Sequence, residues 1–138
     1  MNDKTIEEQI QAKGLTAPRV TPADIEAEIA SEHYFTAKDG ACGFTIAAIN
    51  APPQLALLTF CVLVLHNGFT VTGESACASP ENFDAEIGRT IARQNAVQKV
   101  WPLLGFRLRD QLAARVLTEA DAEADLAGTP RPDNPSAA

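Results

Sequence analysis

Leu57-Leu58-Thr59-Phe60-Cys61-Val62-Leu63-Val64-Leu65, followed by His66-Asn67-Gly68 and then Phe69-Thr70-Val71-Thr72-Gly73-Glu74, decides how this chain folds. The first run is apolar on both alternating faces, which predicts a central strand covered above and below. The second alternates more cleanly. Asn67-Gly68 between them can take the positive φ angles of a tight hairpin turn. Downstream, Ser79-Pro80-Glu81 carries a helix-start signal, with Ser79 as cap and Pro80 in the first helical position. From there a long helix is expected, with Phe83, Ile87 and Ile91 facing inward and Ala85, Ala92 and Ala96 permitting close approach. Trp101-Pro102 should interrupt it, because proline lacks the N–H donor and crowds the preceding turn; Leu103 to Leu112 then resumes as a shorter helix.

Upstream, TIEEQIQAK at residues 5–13, closed by Gly14, reads as a short amphipathic helix or loosely attached arm, with Ile6 and Ile10 on one face. Thr21-Pro22-Ala23-Asp24 is a second helix start, with Ile25 and Ile29 as its inward stripe and an end near Glu32. His33 to Thr36 suggests a short strand, Lys38-Asp39-Gly40 a turn, and Phe44-Thr45-Ile46 another strand before the Pro52-Pro53 loop. Thr118 to Leu126 reads as a last acidic helix. Beyond Gly128 the chain has nothing apolar to bury, so disorder is expected there. The sum is an α+β domain over residues 1–127, an antiparallel sheet with a central hairpin packed against a long helix. Residues 1–17 are a possible arm and 128–138 a tail.

The 138 residues carry a net charge of −7, unevenly spread. Residues 1–50 hold four bases and eight acids, 51–81 no bases and two acids, 82–115 six and three, and 116–138 one and five. Only the long-helix region is basic. Duplex-DNA affinity needs many simultaneous phosphate contacts, so such a molecule is a poor duplex binder but can hold a small anion. Leu55 to Leu65 is the longest apolar stretch and falls short of the roughly 20 residues needed to span a membrane. Cys42, Cys61 and Cys77 form no CxxC pair, which argues for a reducing, cytosolic setting. With two histidines and three dispersed cysteines there is no zinc spacing, and the glycines fit neither dinucleotide nor Walker patterns. No metal or cofactor is expected.

Chemistry is thin. Gly73-Glu74-Ser75-Ala76-Cys77 approximates the nucleophile elbow but lacks its second glycine, and both histidines precede Ser75, so the hydrolase order is not met. A strand end with a bend at Gly73 is the simpler reading. Arg89 and Arg93 lie one helical turn apart and point the same way. They are either surface arginines paired with Glu86 and other helix acids, or phosphate ligands beside backbone N–H groups at the Ser79-Pro80 helix start. Phe69 is either core or a base-stacking platform.

TPADIEAEIASEHYF at residues 21–35 and LTFCVLVLHNGFTVTGESACASPENFDAEIGRTIARQNAVQKVWPLLGFRLRDQL at 58–112 resemble a family of small phage and prophage proteins long labelled uncharacterised. NGFTVTGESAC, PENFD, EIGR-x-IA and WPL-x-G are its specific motifs. This family in turn resembles the first type of Thoeris anti-defence protein. The resemblance implies a sponge that binds cyclic ADP-ribose isomers, and in some members cyclic oligonucleotides of CBASS signalling, without cleaving them. It also implies homodimers or hexamers acting in the host cytoplasm, with no catalytic residues. NGFTVTG and CASPEN match the segments that would border the ligand, so Phe69 would stack a purine, and Ser79 and Asn82 would make polar contacts. Ser79 stands where an amide would be more usual, which bears on the identity of the nucleotide. Arg89 and Arg93 are added on physical grounds as phosphate partners. The rival expectation is a phage protein that blocks a host protein through an acidic surface.

Overall fold

The computed structural model describes residues 2–43, 51–114 and 118–132. It divides into two compact units, residues 1–106 and 107–138. In chain order the elements are α1 (Asp3–Ala12), α2 (Pro22–Glu28), β1 (Ile29–Thr36), α3 (Ala37–Cys42), a 3-10 turn (Pro53–Leu57), β2 (Leu58–Leu65), β3 (Thr70–Ala76), a second 3-10 turn (Pro80–Asn82), α4 (Ala85–Ala113) and α5 (Glu119–Ala127). The three strands form an antiparallel sheet in the order β1-β2-β3, packed against the long helix α4, so the fold is α+β. The strand expected at residues 44–46 lies outside the described residues.

The hairpin forms where the sequence places it. Leu65 donates its N–H to the Phe69 carbonyl at 2.9 Å and accepts from Gly68 N–H at 2.9 Å, so the loop is His66-Asn67-Gly68. Gly68 supplies a positive φ of 86°, which a side chain would disfavour. The Asn67 carboxamide oxygen accepts the Phe69 N–H at 2.9 Å and stiffens the turn.

Alternation in β2 sets the core. Thr59, Cys61, Leu63 and Leu65 are buried on the face toward α4, and Val71 joins them from β3. Complete burial of Leu63 contributes about 2–3 kcal/mol. The opposite face is only half-buried, through Leu58, Phe60, Val62 and Val64. Coverage of β2 is therefore unequal, contrary to the reading of its doubly apolar sequence. On that face Phe35 stacks on Phe60 with 5.4 Å between centroids, and Gly40 of α3 lies against the Phe35 ring.

Gly73 makes no bend. It sits inside β3 opposite Cys61, and a methyl group there would overlap the backbone of Ala92 and Ala96. The missing side chain lets α4 approach the sheet to backbone contact. Consequently the inward face of α4 is Gly88, Ala92, Ala96, Val97, Val100 and Leu104. Ile87 and Ile91, expected inside, are 59% and 41% exposed. Helical periodicity offered two apolar stripes, and the close approach selects the one with small residues.

Three boundaries also differ from the sequence reading. α2 ends at Glu28, and Ile29 to Glu32 belong to β1, where pairing with Leu63 to Leu65 outweighs continuation of the helix. Ser79-Pro80 opens only a three-residue 3-10 turn; α4 starts at Ala85, where the Asp84 carboxylate accepts the Ile87 N–H at 2.9 Å. Finally, α4 runs unbroken through Pro102. Burial of Val100 and Leu104 on either side offsets a proline cost of about 3 kcal/mol.

Thr21, Thr36 and Thr118 each form a reciprocal capping box, with Asp24, Asp39 and Asp121. The α1 arm is docked: Asp3 accepts the Trp101 indole N–H at 3.1 Å, and Arg19 pairs with Glu7. In the second unit Arg131 pairs with Asp125 at 2.6 Å, just past the Gly128 cap, while residues 133–138 lie outside the described set.

Candidate functional site

The inward face of α4 is committed to the sheet, so its two arginines reach around the sheet edge toward β1, and they meet different surroundings. Arg93 is clamped. Its Nη1 and Nη2 reach the two oxygens of Glu26 at 3.1 and 2.7 Å, and its Nε reaches Glu32 at 2.7 Å. These carboxylates hold the guanidinium charged beyond arginine's ordinary range, and Arg93 in turn draws Glu32 below the usual glutamate value. The partners are Glu26 and Glu32, with no pairing to Glu86 among the described residues. Both lie more than 60 residues away in sequence.

Tyr34 extends this network. Its hydroxyl donates to Glu32 at 3.2 Å, and burial, helped by the neighbouring Cys61 and Glu32, pushes it up to about 12. Burial likewise raises the Cys61 thiol.

Arg89, one turn earlier, makes no ion pair or side-chain hydrogen bond among the described residues. It lines a cavity of about 120 Å³ with Tyr34, Phe35 and Thr36 from the end of β1, Asp39 from α3, Thr59 from β2, and Phe83 before α4. Tyr34 and Phe83, the unpaired guanidinium of Arg89 and the Asp39 carboxylate thus border one small cavity, while the Phe35 ring is held against Phe60 on the other face of the sheet. Asp39 is fixed there by the Thr36 N–H at 2.9 Å, which with the Thr36 hydroxyl keeps it below the ordinary aspartate value. A flat ring can stack, an anion can pair with Arg89, and an amino or hydroxyl group can donate to Asp39.

The other expected contacts separate into two places. Asn82 precedes the cavity residue Phe83 directly, and Ser79 closes the same 3-10 turn by accepting the Asn82 N–H at 3.1 Å. Phe69 is 54% exposed at the hairpin tip, at the far end of β3. Seven strand residues span roughly 20 Å, so Phe69 and Asn82 of one chain cannot grip the same small group. Nor does the Ser79 turn supply helix N-terminal N–H groups for an anion: the start of α4 lies at Ala85 and is capped by Asp84.

Sequence reasoning placed Tyr34 in a strand, Asp39 in a turn that is in fact part of α3, and Phe83 on an inward helix face, and gave none of them to a site. No spacing rule links Tyr34 or Asp39 to Phe83 or Arg89. Ser75 lies within β3, paired with Thr59. Among the described residues Cys42, Cys61 and Cys77 form no disulfide, and no cluster of three or more His, Cys, Asp or Glu able to hold a metal ion occurs. No helix among them is long and apolar enough to cross a membrane.

A three-stranded antiparallel sheet on one long helix, with a small aromatic and arginine-lined cavity at its edge, is the class of protein the geometry defines. Residues 20–112, about two thirds of the chain, match the model of the phage protein (N4 Gp49/phage Sf6 gene 66) family, and the chain belongs to that family. No curated protein and no solved structure matches it.

Proposed function

We propose that this phage protein binds and sequesters a cyclic nucleotide immune signal without cleaving it. The signal class is a cyclic ADP-ribose isomer, with cyclic oligonucleotides as the second candidates, and the setting is Thoeris or CBASS anti-defence in the host cytoplasm. The observation carrying this reading is the unpaired Arg89 guanidinium in a cavity lined also by Tyr34 and Phe83, next to Asn82. Arginine suits phosphate oxygens, and aromatic faces suit a base. Membership of a phage protein family and the sponge resemblance of the NGFTVTG and CASPEN motifs support it.

Size bears on the assembly. Pockets for whole small molecules run to about 300–1,000 Å³, so 120 Å³ accommodates one phosphate or base of such a ligand. The remainder requires a second copy, in a homodimer or hexamer. Phe69 from the hairpin tip of a neighbour would stack the purine, with Ser79, Asn82 and Arg89 on the first chain. Arg93 contributes only if the ligand displaces Glu26 or Glu32, which makes it the weakest of the five contacts.

Titration calorimetry with cyclic ADP-ribose isomers and cyclic trinucleotides tests the reading, followed by recovery of ligand after denaturing the protein. Saturable binding and intact ligand are expected. No binding at micromolar protein rejects it, and a cleaved product means an enzyme.

A second reading, inhibition of a host protein by direct contact, draws on the apolar Ile87 and Ile91 on the exposed face of α4 and on the acidic flanks. A stoichiometric host protein retained from lysate at moderate salt, with no nucleotide binding, would favour it.

A further inference from the structure

A second cavity, of about 230 Å³, lies under α1 and is independent of the Arg89 site. Ile6, Ile10, Val20, Pro22 and Trp101 make its apolar wall. α1 buries none of its own residues, and Ile6 is 41% exposed, so this wall still has apolar surface to lose to a ligand.

Charge at the mouth is one-sided. Both oxygens of Glu7 are taken by Arg19, which neutralises that carboxylate. Asp3 receives only neutral donors on Oδ2, the Trp101 indole N–H at 3.1 Å and the Gln98 amide at 3.4 Å. It makes no ion pair among the described residues, so one net negative charge stands beside an oriented indole. The carboxylate attracts a cation, and Trp101 adds apolar surface to the same cavity.

We infer that the cavity between α1 and α4 is a binding site for a primary ammonium carried on a small apolar body. The carboxylate of Asp3 holds the ammonium, and Trp101, Ile6 and Ile10 cover the apolar part. An anion of the same size is repelled by Asp3, so this site and the Arg89 cavity select opposite charges. Asp3, Ile6 and Ile10 lie outside the residues 20–112 that match the family model, whereas Val20, Pro22 and Trp101 lie inside it.

Trp101 is the only tryptophan, so its emission reads occupancy directly in the full chain. Phenethylammonium, phenethyl alcohol and 3-phenylpropionate present the same ring with a positive, a neutral and a negative end. A saturable emission change is expected with phenethylammonium, binding about tenfold weaker with the alcohol, and none with the propionate. Asp3→Asn keeps an acceptor for Trp101 but removes the charge, and should bring phenethylammonium down to the alcohol. Ile10→Phe should fill the cavity and abolish every response. Absence of a saturable change in the unmodified protein, equal affinity for all three probes, or unaltered phenethylammonium binding in a folded Asp3→Asn protein would overturn the assignment.

Discussion

Arg93 and Arg89 sit one turn apart on the same helix, yet one is enclosed by two carboxylates and the other faces an aromatic cavity with no partner among the described residues. Residue type and spacing do not distinguish them. What does is the part of β1 that each meets: mid-strand, where Glu32 and the nearby Glu26 of α2 converge, or the strand's end, where Tyr34, Phe35 and Thr36 open toward α3. An arginine already satisfied internally contributes to the fold. One left unsatisfied at a concave surface is available to a ligand.

Both environments depend on the seam that fixes the rotation of α4. Gly73→Ala would drive a methyl group into the backbone of Ala92 and Ala96, which cannot yield as a side-chain tip would. A stability loss of about 3 kcal/mol is expected by chemical denaturation, the largest effect of the series, with both arginine environments disrupted together. Arg89→Ala should then separate the two: nucleotide affinity falls about tenfold or more by calorimetry while the melting temperature holds. Arg93→Ala should do the reverse, costing about 1 kcal/mol of stability, since its partners are half-exposed and screened. If Arg93→Ala alone abolished binding, the division between the two arginines would be wrong.

Two titrations sharpen the Arg93 side. Tyr34 is the only tyrosine, so ultraviolet absorbance follows it directly; the midpoint should fall near 12, not at the ordinary value of 10. Because the folded protein holds this proton more tightly, the associated stability is complete below pH 10 and is lost as pH rises toward 12. Glu32 behaves oppositely. Its folded value lies below the ordinary 4.5, so its contribution is present above that pH and disappears as pH falls through the lowered value. Glu32→Gln should flatten that part of the acid-melting profile, the smallest effect of the set.

The hairpin was legible because alternation in Phe69 to Glu74 and the Asn67-Gly68 turn are local signals that agree. Thr21 was legible as a cap for the same reason. By contrast, Gly73 as a bend, Ser79 as the cap of the long helix and Pro102 as its end were each overruled by a neighbour: the α4 backbone, Asp84, and burial of Val100 with Leu104. The exposed stripe of Ile87 and Ile91 has the same origin, since helical period alone does not say which apolar stripe meets the sheet. At the site, Arg89 was visible as a residue but its cavity was not. Tyr34, Asp39, Thr59 and Phe83 come together only through strand pairing and the packing of α4.

The most direct test of nucleotide sequestration is calorimetry of the intact protein with cyclic ADP-ribose isomers and cyclic trinucleotides, run beside Arg89→Ala and followed by mass measurement of the released ligand. Saturable binding, weakened in Arg89→Ala and returning the ligand unchanged, is the expected result. No heat of binding at micromolar protein, undiminished affinity in Arg89→Ala, or recovery of a cleaved ligand would contradict it.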